Sequence, residues 1–231
     1  MVVSIVLMSL GFVGMCLFIY GKLTNYNIKT LYVKTFTSLL FIALAINLFI
    51  YKGSPSIGAF VIASTILGTF GDVFLALKRV IPQKDKMYTI LGMFAFMIGH
   101  IVLVVGLFVN YYIAGNEIGI IIPILGALML SLCFITLEIG TGVNLKSFRY
   151  PAIVYIFLVV LVASSSLSLL IINSFAHLGL IIMFVGNVLF AASDMLLCRT
   201  YFGKPSKFQL AATTVCYYFA QFIIAFSLYF L

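Results

Sequence analysis

An all-α fold, a bundle of about eight transmembrane helices forming one domain over residues 1–231, is what this sequence predicts. Three observations predict it: composition, the length of the apolar runs and the placing of charge. Hydrophobic residues make up 65% of the chain and charged residues 8%. Five acidic and thirteen basic side chains cannot furnish the polar shell of a soluble domain this size. Apolar stretches near the ~20 residues needed to cross a bilayer recur at roughly 2–20, 35–51, 57–78, 87–112, 118–137, 151–172, 177–198 and 208–231. The connections between them are too short to fold alone.

The first stretch has no basic n-region and no clear small-residue cleavage site, so it reads as a retained span rather than a signal peptide. The second is short, starting after Lys34. The third carries Gly71-Asp72 near its end and the long fourth carries Gly99-His100. Glu138 closes the fifth and reads as solvated, Pro151 opens the sixth, and the seventh runs from His177, an interfacial residue, past Asn187 to Asp194. The eighth carries Thr213, Tyr217 and Gln221 at intervals of four. Glu117 and Asp85 read as loop residues. Cys16, Cys133, Cys198 and Cys216 fall in or at the ends of apolar runs without metal-ligand spacing, and read as buried small hydrophobes.

The net charge of +8 is not that of a nucleic-acid binder, because it alternates between connections. Lys22, Lys29 and Lys34 lie between spans one and two, and Lys78, Arg79, Lys84 and Lys86 between three and four. Lys146 and Arg149 follow between five and six, then Arg199, Lys204 and Lys207 between seven and eight. Lys52 alone lies on the other side. Twelve cations against one place both termini outside and the basic loops in the cytosol of a cell membrane. Anionic membrane lipids are the natural partners of that surface.

A weak parallel repeat of four spans plus four runs through the pattern. Gly71-Asp72-Val73-Phe74-Leu75 and Ser193-Asp194-Met195-Leu196-Leu197 both place a small residue before an aspartate and a leucine three after it. Lys78 and Arg199 follow six and five residues on. At ~1.5 Å rise per residue the aspartates lie roughly 9 Å and 7.5 Å before those cations, which predicts one depth for both, just under the cytosolic headgroups. A carboxylate within a span costs several kcal/mol unless paired, protonated or wet. One such acid could cap a helix or pair with a cation; two at one depth in matching contexts favour chemistry.

Asn187 shares a helix face with Asp194, as Thr65 and Gly68 do with Asp72. The Thr213-Tyr217-Gln221 stripe has ordinary helix-packing glue as its plain reading. His100, at mid-bilayer, reads as neutral and hydrogen-bonded, with a structural and a catalytic role both open. Two histidines at different depths do not make a metal site, and no cofactor is expected. Nucleophile-elbow, HExxH, P-loop and Rossmann signatures are absent. The residues themselves offer two acids, one histidine and a basic rim, suited to acid/base work on an amphiphile.

Several of these residues stand in recognisable blocks. They are Gly71-Asp72-x-x-Leu75 followed by Gly92-Met93-x-x-Phe96-x-x-Gly99-His100, then Gly186-x-x-x-Phe190-x-x-Ser193-Asp194, and Tyr217-Tyr218-Phe219-Ala220-Gln221-x-x-Ile224-Ala225-x-Ser227. Over most of its length the chain resembles the YhhN family of integral membrane proteins, whose characterised members are lysoplasmalogenases. Pro151-x-x-x-Tyr155 is a weaker match, and Lys34-Thr35 stands where the family commonly shows Lys-Pro. The resemblance implies a lysophospholipid substrate whose vinyl-ether bond is hydrolysed to a fatty aldehyde and a glycerophospho-ethanolamine or -choline. It implies Asp72 and Asp194 as acid and base, in the manner of the carboxylate pairs of glycosidases. Which aspartate takes which role stays open. Tyr217, Gln221, Asn187, His100 and Tyr155 become supporting candidates, and Lys34, Lys78, Arg79 and Arg199 candidate phosphate ligands. The alternative class is a non-catalytic lipid-binding protein or transporter using the aspartates as a proton or cation site.

Overall fold

The computed structural model describes residues 1–53, 56–140, 145, 148–203 and 205–231, the side chains of residues 138 and 139 excepted. Lys146 and Lys204, which entered the charge reading above, and the Glu138 side chain, read as solvated, lie outside the described residues. Eight long helices follow one another among the described residues: α1 (Val2–Leu23), α2 (Ile28–Lys52), α3 (Ile57–Val80), α4 (Asp85–Tyr111), α5 (Ile118–Gly140), α6 (Arg149–Ile172), α7 (Leu178–Phe202) and α8 (Lys207–Ser227). Each is long and apolar enough to cross a membrane. Their outer faces carry large apolar side chains such as Phe12, Leu17, Ile50, Phe70, Phe94, Val109, Leu132 and Phe208. Such an apolar surface suits lipid and would be an aggregation liability in water. The chain is an integral membrane protein.

Local chemistry sets the helix ends. Asn27 accepts from the backbone N–H groups of Lys29 and Thr30 while Thr30 returns the bond to the Asn27 backbone, a capping box that starts α2 seven residues earlier than the apolar run suggested. The second span is therefore not short, and Lys29 and Lys34 are helix residues rather than loop residues. Ser206 and Gln209 form the same device at the start of α8. Gly53 ends α2 in the left-handed region at φ 59°, where a glycine meets no Cβ penalty. Asp85 is also corrected: it opens α4, directly after a 3₁₀ turn at Pro82–Lys84.

Consecutive helices pack on each other in both halves, α1 on α2, α2 on α3 and α3 on α4, then α5 on α6, α6 on α7 and α7 on α8. The closest pairs are α3–α4 and α7–α8, which hold the same place in their halves. The halves join where α4 meets α6 and where α8 meets α1, α2 and α3; only the α4–α6 and α8–α2 contacts are equivalent. Packing within each half follows one order, while the contacts of α8 with α1 and α3 have no counterpart at α4. Small residues permit the close approach: a Cβ on Gly71 would stand 2.5 Å from the Phe96 ring, and one on Gly92 2.8 Å from Leu75.

Two cores fill the bundle. One is mainly aliphatic, with Leu44, Leu48, Val61, Leu107, Leu169, Leu180 and Met183 packed together. The other is aromatic, built on Phe18, Phe41, Phe96, Tyr155, Phe190, Tyr217 and Tyr218. The cysteines depart from expectation. Cys16 and Cys133 are exposed on the outer face, and Cys198 and Cys216 are half-buried. Hydropathy does not report which way a residue faces, because lipid and bundle interior are both apolar.

Candidate functional site

Asp72 and Asp194 hold equivalent places on α3 and α7, each eight residues before its helix ends at Val80 or Phe202. Both line one cavity of about 170 Å³ in the aromatic half of the bundle. Its walls include Lys22, Tyr26, Lys34, Lys78, Arg79, Met93, Phe96, Tyr155, Tyr201 and Tyr217. The cavity combines an apolar body with a few convergent polar groups, the usual make-up of a small-molecule site.

The two carboxylates have different company. Asp72 is buried at 2% exposure and fully engaged. Lys34 Nζ stands 2.8 Å from its Oδ1. Ser38 Oγ donates to Oδ2 at 2.6 Å and Tyr217 OH donates to the same oxygen at 2.7 Å. One cation and two hydroxyl donors thus engage this carboxyl group. Gln221 Nε2 lies 3.4 Å from Tyr217 OH, behind it, and leaves that hydroxyl's proton directed at Asp72. Asp194 is half-buried and accepts from Tyr155 OH at 2.7 Å. No ion pair reaches it among the described residues.

The repeat explains both the likeness and the difference. Each aspartate bonds to the second helix of its own half, Asp72 to Lys34 on α2 and Asp194 to Tyr155 on α6. The sequence separations are nearly equal, 72 − 34 = 38 and 194 − 155 = 39. In one half the partner is a cation, in the other a neutral phenol. The same scaffold therefore presents two carboxyl groups in unlike electrostatic settings.

Other residues singled out by sequence divide into those at the cavity and those behind it. Lys78 lines the wall with its ammonium 3.5 Å above the Tyr201 ring, and Arg79 stands 5.3 Å from the centre of the Tyr26 ring. Lys34, expected as a phosphate ligand, is instead held by Asp72. Arg199 and Asn187 are not in the lining. The Asn187 amide donates to Ser166 Oγ at 2.7 Å and so ties α7 to α6. His100 is buried behind the wall, edge-on to Phe190 at 4.9 Å and to Tyr155 at 6.2 Å. Its Nε2 has no hydrogen-bond partner among the described residues. The expected hydrogen bond is not found at that atom among the described residues, and the ring packs against two aromatic side chains.

Sequence reading missed Ser38, Lys22, Tyr26 and Tyr201. Lys22 Nζ donates to Leu210 O at 3.0 Å and to Thr214 Oγ1 at 2.8 Å, bridging α1 to α8 at the cavity edge. Tyr201 OH donates to Asp85 at 2.9 Å, so Asp85 sits directly behind that wall. Tyr26, in the turn between α1 and α2, has its phenol pushed up to about 12, chiefly by burial, with Asp72 adding to the effect and Arg79 opposing it. It stays a neutral donor at neutral pH. Ser38 was legible in one respect only: it lies one helical turn after Lys34 and so shares its face.

Fold and site together define a polytopic helical membrane protein with a carboxylate pair in an intramembrane cavity. The YhhN family model matches residues 29–228, most of the chain, and the protein belongs to that family. Comparison with curated proteins and with solved structures gives no match.

Proposed function

We propose that this protein is a lysoplasmalogenase, hydrolysing the vinyl-ether bond of a lysoplasmalogen to a fatty aldehyde and a glycerophospho-ethanolamine or -choline. The observation that carries the proposal is the unequal pairing of two carboxyl groups on one cavity, Asp72 with Lys34 and Asp194 with the Tyr155 phenol. Family membership agrees with it.

Vinyl-ether hydrolysis begins with protonation at carbon. Asp194, with no cation partner among the described residues, holds the proton and gives it to the alkenyl carbon remote from oxygen. The electron pair of the double bond forms the new C–H bond and leaves an oxocarbenium ion at the ether carbon. Asp72, kept ionised by Lys34, stabilises that cation and accepts a proton from the attacking water. The hemiacetal then loses its hydroxyl proton and expels the glyceryl oxygen, which takes up a proton. The net change is addition of one water, and both carboxyl groups return to their starting states. Tyr155 and Tyr217 orient the two acids. The reaction sits in a cell membrane with both termini outside and the basic loops cytosolic, where a lysolipid's linkage atoms lie just below its phosphate.

The test is aldehyde release, followed by mass spectrometry, from purified protein in detergent given alkenyl and acyl lysophospholipids. Cleavage of the alkenyl substrate alone is expected, and the Asp72→Asn/Asp194→Asn variant should lose it. Undiminished hydrolysis by that variant would sink the mechanism. The second reading, a lipid-binding protein or transporter using the aspartates as a proton or cation site, draws on the repeated helix packing. Flux in sealed liposomes without aldehyde release would favour it.

A further inference from the structure

The cavity reaches the protein surface at two depths. Of its described lining residues, Arg79 and Met195 are exposed and the others are buried or half-buried. Arg79 stands one residue before α3 ends. Met195 lies seven residues before α7 ends (202 − 195 = 7), about 10 Å farther in at ~1.5 Å rise per residue. It shares a face of α7 with Val188, two turns deeper, and both are exposed where the helix meets lipid. The first opening meets headgroups and water, and the second meets hydrocarbon.

The wall beside Met195 is apolar and comes from three helices. Ala152, Ile156 and Val160 recur at intervals of four on α6, Ala191 and Met195 do so on α7, and Phe134 stands on α5. Ile156 lies seven residues into α6 (156 − 149 = 7) and so shares the depth of Met195. Ala152 and Ala191 end at Cβ, which leaves room for a chain between the two helices. One turn deeper than Ala191 the cleft closes, where the Asn187 amide donates to Ser166 Oγ at 2.7 Å. A chain that starts at Asp194 therefore leaves past Met195 rather than running farther along the bundle. At about 170 Å³ the cavity is smaller than the roughly 300–1,000 Å³ that encloses a drug-sized ligand. It cannot hold a headgroup and a whole chain.

We infer that the cleft between α6 and α7, flanked by Phe134 of α5, is a lateral arm that holds the first part of the lysolipid's hydrocarbon chain and passes the rest into the bilayer. The inference rests on the reading that the cavity takes a lysolipid. It adds the route of the chain and the residues that shape it. Ala152 and Ala191 set the width of the arm. Chain length goes unmeasured, because the arm ends in lipid at Met195 rather than on a wall.

The probe is a 1-O-alkyl lysolipid with a photoreactive diazirine a few carbons from the ether; it contains no vinyl ether and reports binding without turnover. It is irradiated with the full-length protein in nanodiscs of diacyl lipid, and adducts are mapped by mass spectrometry. Lipid around the protein labels exposed residues such as Val188 and Met195 in any case. Phe134, Ala152 and Val160 are buried, so adducts there mark a chain inside the arm. Those adducts are expected, and excess unlabelled alkyl lysolipid should lower them ~10-fold or more while sparing Val188. Ala191→Phe fills the arm and should also lower them ~10-fold or more, the size of an overpacking penalty. Dodecyl and octadecyl lysolipids should compete within ~3-fold of each other. A ~10-fold or greater loss for the longer chain would put a wall at Met195 and overturn the open arm. Displaceable adducts found instead on Phe12 and Phe222, in the groove between α1 and α8, would overturn it, as would undiminished arm adducts in a folded Ala191→Phe variant. If that variant does not fold, competition in the unmodified protein decides, and adducts at the three buried residues that excess lysolipid does not displace overturn the arm. Displaceable arm adducts with no aldehyde from any alkenyl lysolipid would leave the arm standing and remove the hydrolase reading.

Discussion

Replacing Lys34 with methionine keeps most of the stem and deletes the charge that faces Asp72. The pair is close, 2.8 Å, and little exposed, 12% for the lysine side chain and 2% for the aspartate. At an effective dielectric near 20 the gross attraction at this distance is about 6 kcal/mol. Breaking a buried pair by removing one partner costs about 3–5 kcal/mol, because the remaining charge is stranded. Two features lower that figure. Ser38 and Tyr217 still donate to Asp72, and the stranded carboxylate can discharge itself by taking a proton. The expected loss for Lys34→Met is therefore about 2–4 kcal/mol. Adding Asp72→Asn removes the stranded charge, so the double variant should regain at least about 1.5 kcal/mol relative to additivity. Unfolding in detergent for the four members of the cycle measures this. Aldehyde release should part company with stability: Lys34→Met falls ~100-fold, and the stabilised double variant recovers none of it. A coupling below about 0.5 kcal/mol, or near-normal hydrolysis by Lys34→Met, would refute the claim that Lys34 keeps Asp72 ionised for the reaction.

Three further outcomes follow from the same geometry. Tyr155→Phe removes the hydroxyl that donates to Asp194 at 2.7 Å. It should cost about 1 kcal/mol in stability and lower aldehyde release by ~10-fold or more, read per folded molecule. Gly71→Ala puts a methyl group 2.5 Å from Phe96, whereas Gly126→Ala meets only Ser164 Cβ, at 4.0 Å. Thermal unfolding should show a loss of about 1–3 kcal/mol for the first and no loss for the second. Asn187→Ala breaks the bond to Ser166 between α7 and α6. It should lower stability by about 1 kcal/mol with hydrolysis per folded molecule retained, and a selective loss of hydrolysis would return Asn187 to the site.

The boundaries of α2 and the two aspartates show what kind of information each level holds. Asn27 and Thr30 are three residues apart, so the capping box that starts α2 is written locally and was there to be read. Lys29 and Lys34 mask it, because cations beside an apolar run have the look of a loop. Lys34 is tolerated inside a helix because Asp72, on another helix, neutralises it. That compensation has no local signature. The aspartates stood out because intramembrane acids are costly and few. Their partners Tyr217 and Tyr155 sit 145 and 39 residues away among thirteen tyrosines, and only packing selects them.

By itself, the sequence determined the membrane-spanning helices, their number and the two acids, because hydropathy, helix length and charge cost are properties of short segments. Tertiary structure decided which side chains meet. It joined Asp72 to Lys34, Ser38 and Tyr217, left Asp194 with a phenol, and moved His100 and Asn187 behind the wall. It also turned Cys16 and Cys133 outward. Each of these depends on the rotation of a helix about its own axis. In an apolar solvent, hydrophobicity leaves that rotation nearly unmarked, and the fit of small residues against large ones across the helix contacts sets it.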